Sequence, residues 1–597
     1  MPETPSAIGR RDFPYIILSF FSFAAGLWAS WQRWGNPLID AGREMNVPLR
    51  LLRGEMLYSQ VRYIYGPLAP YFNSALYGMF GVRLSVLCGG GIVVASMILG
   101  LVYWISRRVL EPPETAVTVL AVTWICAFKP EGNYILPYAY SALQGCLFTL
   151  AVLGLSLRYL EKRRGVYLLI ASGCAGLAML AKTEAGIVGL ATGLAAVLLL
   201  EAGLPRRILS RVVIFLAPAI AIPAIVYAAI AKKTGWTVLI HESFLFFGHV
   251  PWQLIHFNQV RFGFDRPLHS FLLMIISFLR LLSLAGILGA LAVIISGERS
   301  RLTVRKWWML LAGSVVLSAI CSVGLGDLGP MLPMPIILVL LLAAGLHEYI
   351  QNLGPDREQS TTQLQWLLIL VFALLSLMRI FLRVSTGGAL SSVLIPASLL
   401  VFVYCWTRLF PALFPGGRQR AMVRQLAITV LTVAIAASAI TLSIRYRGKY
   451  TYRLATARGA MWTQPDLGRA FDQAAHFLSR QSLPSDFVAV VPEGTSLDFF
   501  TDRRNPLRDE ILVPGMLDAR SEQHAIDDLR RTNARYFLLT NRSTKEFGQT
   551  SFGHDYDVNL MTWVEETYRT CAIFGGDSSP DPRVGDPQFF IRVYCRE

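Results

Sequence analysis

The sequence predicts a polytopic α-helical membrane protein with a small soluble α/β domain at its C-terminal end. Three observations predict this class: a length of 597 residues, a composition with 54% hydrophobic and only 16% charged residues, and a mean hydropathy of +0.48. An average soluble protein carries about 25% charged residues. The shortage of charge over such a length excludes a soluble enzyme, a fibrous protein and a disordered tail.

The positive charge is distributed unevenly along the chain. The formal net charge is +16, whereas residues 444–597 contain 20 Lys and Arg against 21 Asp and Glu. The excess therefore lies in residues 1–443, between the hydrophobic runs, as the positive-inside bias of membrane proteins predicts. A nucleic-acid-binding protein would concentrate basic residues on a soluble module. No nucleic acid is therefore expected as a partner, and the lipid bilayer is.

Residues 1–443 contain about thirteen apolar runs of a length that suits membrane spans. The first follows Arg10 and Arg11, covers about 13–31 and has the character of a signal anchor. The others are centred near residues 95, 121, 147, 173, 193, 220, 283, 316, 340, 373, 399 and 433. If the spans alternate in direction, the basic loop clusters fall on the same side as Arg10 and Arg11. This predicts a bacterial cytoplasmic membrane protein with a cytoplasmic N-terminus and an external, periplasmic domain at residues 444–597.

Residues 444–597 alternate helical and strand-like patterns, which predicts one small α/β domain. The predicted order is a helix over 466–481, a strand at 487–491, a helix capped by Ser521, a strand at 535–540, a helix near 559–568 and two strands that contain Cys571 and Cys595. Two states stay open for these cysteines: a disulfide, which an external domain permits, or two free thiols. The domain has no glycine-rich phosphate loop, which favours a lid or an acceptor-docking module over a second enzyme.

The first external loop, about 32–83, is long and rich in charge, tyrosine, glycine and proline, and such loops usually carry function. A helix over 40–53 would place Asp40 and Glu44 on one face, at the edge of an apolar stripe of Val47 and Leu51 that lies on the bilayer. Repulsion and burial raise the pKa of such carboxylates, which suits a general base in a cleft at membrane level. The alternative is an interfacial helix whose charges only solvate it.

The same loop contains a series of spaced motifs: Asp40, Gly54-Glu55-x-x-Tyr58, Tyr65-Gly66-Pro67-Leu68-x-Pro70-Tyr71 and Phe80-Gly81. This series resembles the first external loop of GT-C glycosyltransferases that use polyprenyl-phosphate sugars, namely the bacterial aminoarabinose transferases and the protein O-mannosyltransferases of the family 39-like group. Leu180-Ala-Lys182-Thr-Glu184 resembles a Leu-Thr-Lys-Gly stretch of those proteins. The resemblance covers roughly residues 30–200 and departs at Tyr65-Gly66-Pro67, where aminoarabinose transferases carry Lys-Pro-Pro.

The resemblance implies an inverting glycosyltransferase with Asp40 as catalytic base and Glu44 as its neighbouring carboxylate. The acceptor hydroxyl would lose its proton to Asp40 and attack the anomeric carbon while polyprenyl phosphate departs. The implied donor is a polyprenyl-phosphate-linked sugar. The implied acceptor is a lipid-linked glycan or an envelope polysaccharide, ahead of a protein, on the external face of the membrane.

The departing phosphate needs positive charge, and charged residues deep in apolar runs usually face a cavity or a partner. Two Lys-x-Glu pairs recur at the outer ends of spans, two arginines lie four apart near the end of a later span, and one arginine lies inside an apolar run. The candidates for the donor phosphate and substrate are Arg62, Tyr63, Tyr65, Lys129, Glu131, Lys182, Glu184, Arg280, Arg379 and Arg383. For the two lysines, snorkelling beside a local glutamate is an equal alternative.

The second large external loop, about 232–269, combines histidines with aromatic residues. The spacing of His241, Glu242, His249 and His256 fits no standard metal site, which favours interfacial histidines. The aromatic residues are Phe244, Phe246, Phe247, Trp252 and Phe257, and they predict an interfacial belt or an isoprenoid groove. No cofactor is assigned, although a divalent metal at the phosphate stays open.

Two other functions stay open at the level of sequence. A transporter or flippase of lipid-linked saccharides would share the intramembrane charges, although no convincing internal repeat of the kind found in many transporters is present. The second is a non-catalytic subunit of envelope assembly, in which Asp40 would be dispensable for function.

Overall fold

The computed structural model describes residues 8–202, 205–241, 251–296, 304–323, 329–352, 360–576 and 589–596. Nine helices within these ranges are long and apolar enough to cross a membrane, by length and composition. A helix is present at each of the thirteen predicted span positions. The predicted class, a polytopic α-helical membrane protein with a small α/β domain, is confirmed. The number of spans and the domain division between residues 443 and 444 stay predictions.

The membrane part and its external loops form a succession of helices. In chain order they are α1 (Phe13–Ala29), α2 (Ala41–Leu52), α3 (Leu68–Phe80), α4 (Leu84–Ser106), α5 (Pro112–Val122), α6 (Tyr140–Lys162), α7 (Gly165–Ala181), α8 (Thr183–Leu200), α9 (Pro205–Thr234), α10 (Trp236–Leu239), α11 (Trp252–Phe262), α12 (Pro267–Ser296), α13 (Val304–Val323), α14 (Met334–Gln351), α15 (Thr361–Leu377), α16 (Ser391–Leu394), α17 (Pro396–Tyr404), α18 (Phe410–Ala412) and α19 (Gly417–Lys449). The π-helical turns Thr123–Ala127 and Cys405–Leu409 extend α5 and α17.

Helix α6 is the central helix of the bundle and packs against α4, α7, α8 and α15. Small residues on α6 permit these close contacts, as is usual between helices in membranes. A Cβ atom at Gly154 would lie 2.2 Å from the ring of Trp104, and one at Gly145 would lie 2.8 Å from Cβ of Ala185. The bundle therefore has a tightly packed centre.

The soluble domain has a four-stranded sheet of order β3-β4-β6-β5 with helices on both faces, and a separate β1–β2 hairpin. Its elements are β1 (Tyr452–Thr456), β2 (Gly459–Thr463), α20 (Pro465–Gln481), β3 (Val488–Val491), α21 (Ser496–Thr501), α22 (Ala519–Arg531), β4 (Tyr536–Thr540), α23 (Val558–Thr567), β5 (Arg569–Gly575) and β6 (Phe590–Cys595). Strands β3 and β4 are parallel and completely buried, as expected of a pair covered on both sides.

Two details of this domain refine the predictions. Helix α22 begins earlier than predicted, because the Asp518 carboxylate accepts a hydrogen bond from the backbone N–H of Ser521 at 2.8 Å and caps the helix instead of Ser521. Of the two states open for the cysteines, the structure has the disulfide. Cys571 and Cys595 lie on the neighbouring strands β5 and β6, with their Cα atoms 5.9 Å apart.

Helix α2 lies between the bundle and the soluble domain, and its residues from Ala41 to Arg50 are all buried. The expectation that this helix lies on the bilayer surface is therefore wrong. Two contacts explain its position. The Asn46 side chain donates to the carbonyl of Thr495 at 2.7 Å, and the backbone of the soluble domain packs closely against Gly42. A Cβ atom at Gly42 would lie 2.5 Å from the backbone nitrogen of Ser496.

Candidate active site

Asp40 precedes α2 instead of forming part of it. The Ala41 N–H donates to the carbonyl of Ile39 at 2.6 Å, and Asp40 has φ +60° and ψ −41°. This is a γ-turn of the strained type, and such strain persists where the surroundings enforce it, often at functional positions. Asp40 is therefore the N-cap of α2 and not a helical residue, although its carbonyl accepts from the Glu44 N–H at 3.3 Å and its charge raises the pKa of Glu44 as predicted.

Arg43 joins the two carboxylates. Its Nη2 lies 3.2 Å from Asp40 Oδ1, and its Nε lies 3.0 Å from Glu44 Oε1. Glu44 is fully buried, and its Oε2 also accepts from the backbone N–H of Tyr140 at 2.9 Å. The Asp40 side chain is 32% exposed. Of these two predicted catalytic carboxylates, Asp40 can meet a substrate, whereas Glu44 holds Arg43 and the start of α6 in place.

Burial is the main influence on both carboxylates, and it raises the pKa of Asp40 and of Glu44. The positive charge of Arg43 acts in the opposite direction on each. Arg542 and Arg261 also lower the pKa of Asp40 without cancelling the effect of burial. A carboxylate with a raised pKa accepts a proton at neutral pH more readily than an ordinary one.

Behind Asp40, the ring of Tyr65 lies close to two cations. The guanidinium carbon of Arg43 is 5.4 Å from the ring centre, and Nζ of Lys182 is 5.1 Å from it. Tyr138 connects the same cations, because its carbonyl accepts from Arg43 at 2.7 Å and its hydroxyl from Lys182 at 3.4 Å. Aromatic faces attract cations, so these tyrosines keep two positive charges together.

Glu184 extends this group toward α15. Its carboxylate lies 3.1 Å from Nζ of Lys182 and also pairs with Arg379. Arg379 donates in addition to the side chain of Asn258 on α11 at 2.7 Å. The side chains of Arg43, Lys182, Glu184 and Arg379, with Tyr65 and Tyr138, are called here the cation cluster. It carries more positive than negative charge.

The two motifs that carry the sequence resemblance contact each other. Lys182 has extended backbone between α7 and α8, which leaves carbonyls free at the end of α7. The Gly66 N–H donates to the carbonyl of Ala181 at 3.2 Å. A Cβ atom at Gly66 would lie only 2.0 Å from the carbonyl oxygen of Leu180. Glycine is required here because of this close approach.

Four other predicted substrate residues have contacts or positions outside the cation cluster. Lys129 is buried and donates to the carbonyls of Thr386 and Gly388, and burial lowers its pKa to about 8. Glu131 is exposed. The hydroxyl of Tyr63 lies 2.9 Å from Ser141 Oγ and donates to Glu44 at 3.4 Å. Arg383 lines a separate cavity of about 220 Å³, whose other lining residues include Arg266, His269 and three leucines.

Two predicted residues are directed away from the cation cluster. Arg62 contacts the soluble domain, where it pairs with Asp509 at 3.2 Å and donates to the carbonyl of Met516 at 3.0 Å. Arg280 lies in the middle of α12. Within the described ranges, no hydrogen bond or ion pair connects the Arg280 side chain to the cluster, and its Nε has no hydrogen-bond partner.

The aromatic part of the second external loop differs from its prediction where it is described. Phe257 on α11 stacks on Phe547 of the soluble domain, with ring centres 4.6 Å apart, so Phe257 belongs to a domain contact and not to an interfacial belt. Trp252 lies beside His256 on the same helix. Residues Glu242, Phe244, Phe246, Phe247 and His249 lie outside the described residues.

No three His, Cys, Asp or Glu side chains of the described ranges are grouped so that they could hold a metal ion. The divalent metal that the sequence leaves open stays a prediction.

Sequence reasoning missed three charged residues near Asp40: Arg261 on α11, and Glu493 and Arg542 in the soluble domain. No spacing or motif relates them to Asp40. Their charge types were visible in the sequence, but only the fold shows that they lie near this carboxylate.

Comparison with known proteins adds a family match and a fold. Residues 65–230 match the model of a family described as Dolichyl-phosphate-mannose-protein mannosyltransferase. The structure is similar to an oligosaccharyltransferase from Archaeoglobus fulgidus in the apo form, with a TM-score of 0.50 and 12% identity over 95% of this chain and 74% of that chain. The chain therefore shares its fold with that oligosaccharyltransferase. Curated protein sequences contain no match to it.

Other solved structures are similar to this chain at lower TM-scores. The oligosaccharyltransferase AglB from Archaeoglobus fulgidus, in complex with an inhibitory peptide and a dolichol-phosphate, has a TM-score of 0.49 and 11% identity, over 98% of this chain and 74% of that chain. ArnT from Cupriavidus metallidurans, bound to undecaprenyl phosphate, has a TM-score of 0.42 and 14% identity, over 97% of each chain.

The family match covers most of the cation cluster. It begins at Tyr65 and extends past Lys129, Tyr138, Lys182 and Glu184, whereas Asp40 and Arg379 lie outside it. Asp40 is connected to the matched segment by Arg43, which pairs with Asp40 and lies over the ring of Tyr65. Arg379 is connected to it by its ion pair with Glu184.

Proposed function

We propose that this chain is an inverting glycosyltransferase of the external face of a bacterial cytoplasmic membrane. It moves a sugar from a polyprenyl-phosphate-linked donor to a lipid-linked glycan or an envelope polysaccharide. The observation that carries the proposal is the partly exposed Asp40 carboxylate held against Arg43 beside the cation cluster. The family model, whose description names dolichyl-phosphate-mannose, supports a lipid-phosphate sugar as donor. The Cys571–Cys595 disulfide supports an external soluble domain, because disulfides persist outside the cytoplasm.

The proposed reaction is one displacement at the anomeric carbon. Asp40 accepts the proton of the acceptor hydroxyl, and the acceptor oxygen forms a bond to the anomeric carbon from the face opposite the phosphate. The bond between that carbon and the phosphate oxygen breaks, and its electron pair leaves with polyprenyl phosphate. Because there is one displacement, the configuration inverts. The cation cluster stabilises the charge that develops on the departing phosphate.

The proposal is tested with the full chain in proteoliposomes, a panel of radiolabelled polyprenyl-phosphate sugars and a crude envelope-glycan acceptor. We expect label to pass to the acceptor with release of an equal amount of polyprenyl phosphate. Movement of intact donor across the bilayer without release would favour a flippase instead. Neither transfer nor movement with any donor would favour a non-catalytic assembly subunit.

Arg379→Ala is expected to weaken donor binding. Arg379 is the cation of the cluster with the most exposed side chain, and its loss removes charge-assisted hydrogen bonds to phosphate worth about 2 kcal/mol, or roughly 30-fold in donor KM. Lys182 still pairs with Glu184 in this variant, so the local fold is expected to hold. Arg469→Ala, which breaks an exposed ion pair with Asp466 on α20, is the control. An unchanged donor KM in Arg379→Ala would remove this residue from the phosphate site.

A further inference from the structure

A loop of the soluble domain, residues 492–496, lies against the start of α2. The Ser496 hydroxyl donates to the carbonyl of Pro37, and Asn46 donates to the carbonyl of Thr495. Gly42, two residues after Asp40, lies so close to Thr495 that a Cβ atom would be 2.5 Å from its Oγ1. These contacts fix the loop that bears Glu493 at the same end of α2 as Asp40.

Glu493 is a charged residue that the proposed reaction does not use, and its side chain is only 4% exposed. Its Oε2 lies 2.8 Å from Nε of Arg542, and its carbonyl accepts from the hydroxyl of Thr540 at 3.0 Å. Arg542 also pairs with Glu546, so the Glu493 carboxylate is held from behind. The charges of Asp40 and Arg43 act on Glu493 across the boundary between the two parts of the chain, where Asp40 raises its pKa and Arg43 lowers it.

We propose that Glu493 is a positioning residue of the active site, a buried soluble-domain carboxylate that makes Asp40 a stronger base. Two nearby negative charges oppose each other, so an ionised Glu493 increases the affinity of Asp40 for a proton. This inference rests on the proposed function, because it assigns Asp40 the role of base. It makes the soluble domain a part of the active site and not merely a cover over it.

The direction of the pH dependence follows from the charges around the pair. Burial raises the pKa of Glu493 to about 7, although Arg542 and Arg43 act to lower it. Two coupled carboxylates release their protons in two steps that belong to the pair. Below the upper step Glu493 is protonated and Asp40 is the weaker base. Above it Glu493 is charged and Asp40 is the stronger base, so activity rises with pH through this step.

Other charged and titratable groups surround the pair. Those that interact electrostatically with Asp40 or Glu493 are Arg43 and Glu44 on α2, Tyr65 and Tyr138 in the bundle loops, Arg261 on α11, and Arg542 and Tyr556 in the soluble domain. Burial raises the pKa of Tyr65 to about 12, and it raises the pKa of Tyr138 and Tyr556 as well. Glu44 is buried against the Arg43 cation. The upper step is assigned to the Asp40–Glu493 pair because burial raises the pKa of Glu493 to about 7.

The test is the pH profile of kcat/KM for sugar transfer by the full chain in proteoliposomes, for wild type and Glu493→Gln. The amide keeps the shape of the side chain and a hydrogen-bond acceptor for Arg542 but carries no charge. We expect the step near pH 7 to be absent in Glu493→Gln, with activity equal to wild type at pH 6 and about 3- to 10-fold lower at pH 8. Donor KM is expected to be unchanged.

Three further variants distinguish an electrostatic effect of Glu493 on Asp40 from a change in the fold. Glu493→Asp keeps the charge, so it is expected to restore the step. Arg542→Gln removes a cation that favours ionised Glu493, so the step is expected to move to higher pH. Glu546→Gln removes the other partner of Arg542 and is expected to leave the step in place. Thermal unfolding of each variant shows whether the fold is retained.

The role of Glu493 and the proposed function are overturned by different results. A step that persists at the same pH in Glu493→Gln, or one that moves to lower pH in Arg542→Gln, would overturn the role of Glu493 while transfer itself still stands. No transfer by wild-type protein from any donor would overturn the proposed function and this inference with it.

Discussion

Asp40→Asn is expected to lower kcat for sugar transfer by about 10³-fold and to leave donor KM nearly unchanged. A general base contributes roughly 10²- to 10⁴-fold to a rate, and an amide does not accept a proton at neutral pH. The substitution preserves the size of the side chain, and Asn tolerates the positive φ of this position. Its amide oxygen can still accept from Arg43, so the γ-turn is expected to survive. Single-turnover release of polyprenyl phosphate measures the effect.

Asp466→Asn is the matched control for this substitution. Asp466 makes an exposed ion pair with Arg469 at the start of α20, so the same chemical change there is expected to leave kcat as in wild type. Full activity in a folded Asp40→Asn protein would show that another carboxylate is the base.

Arg50→Leu is expected to destabilise the contact between α2 and the soluble domain by about 3–5 kcal/mol. Arg50 is buried, with Nη1 2.8 Å from Glu510 and Nη2 2.7 Å from Glu55. The Glu510 side chain is 1% exposed, so its charge would be buried without its main cation. Denaturant unfolding in detergent measures the loss, and limited proteolysis is expected to cleave the soluble domain earlier than in wild type.

Arg53→Leu is the comparison for Arg50→Leu, because it removes a cation from the same surface. Arg53 pairs with Asp502 at 2.5 Å, and the two side chains are 25% and 46% exposed. A pair with this access to water contributes about 0–1 kcal/mol. Equal destabilisation by the two substitutions would show that burial of the Glu510 charge does not decide how the soluble domain docks.

The helices of the membrane part and the alternation of the soluble domain were predictable because they depend on local patterns. Thirteen apolar runs coincide with helices, and the helix predicted over 466–481 is α20. The prediction that was wrong at this local level is the N-cap of α22. Asp518 caps the helix instead of Ser521, because its carboxylate is a stronger acceptor for the free N–H groups.

The candidate site was predictable only in part. The motifs around Asp40, Tyr65 and Lys182 indicated one external site, and the structure joins them through Arg43. The burial of α2 was not predictable, because its polar side chains are satisfied by partners far away in the chain. Arg280 lies inside an apolar run, and this position suggested a functional role. The sequence of a helix does not show which neighbouring helix each of its faces contacts, so it could not show whether Arg280 reaches the site.

The contact of Asn46 with Thr495 also determines when the surroundings of Asp40 are complete. The two residues are 449 positions apart in the chain, so at about 5–20 residues per second the ribosome needs roughly 20–90 s to go from one to the other. During this interval most of the bundle enters the membrane while the polar side of α2 has no soluble domain to meet. Because the soluble domain covers Gly42, Asn46 and Arg50, the surroundings of Asp40 are completed only after that domain has been synthesised. The proposed activity therefore begins only when the soluble domain has folded against α2.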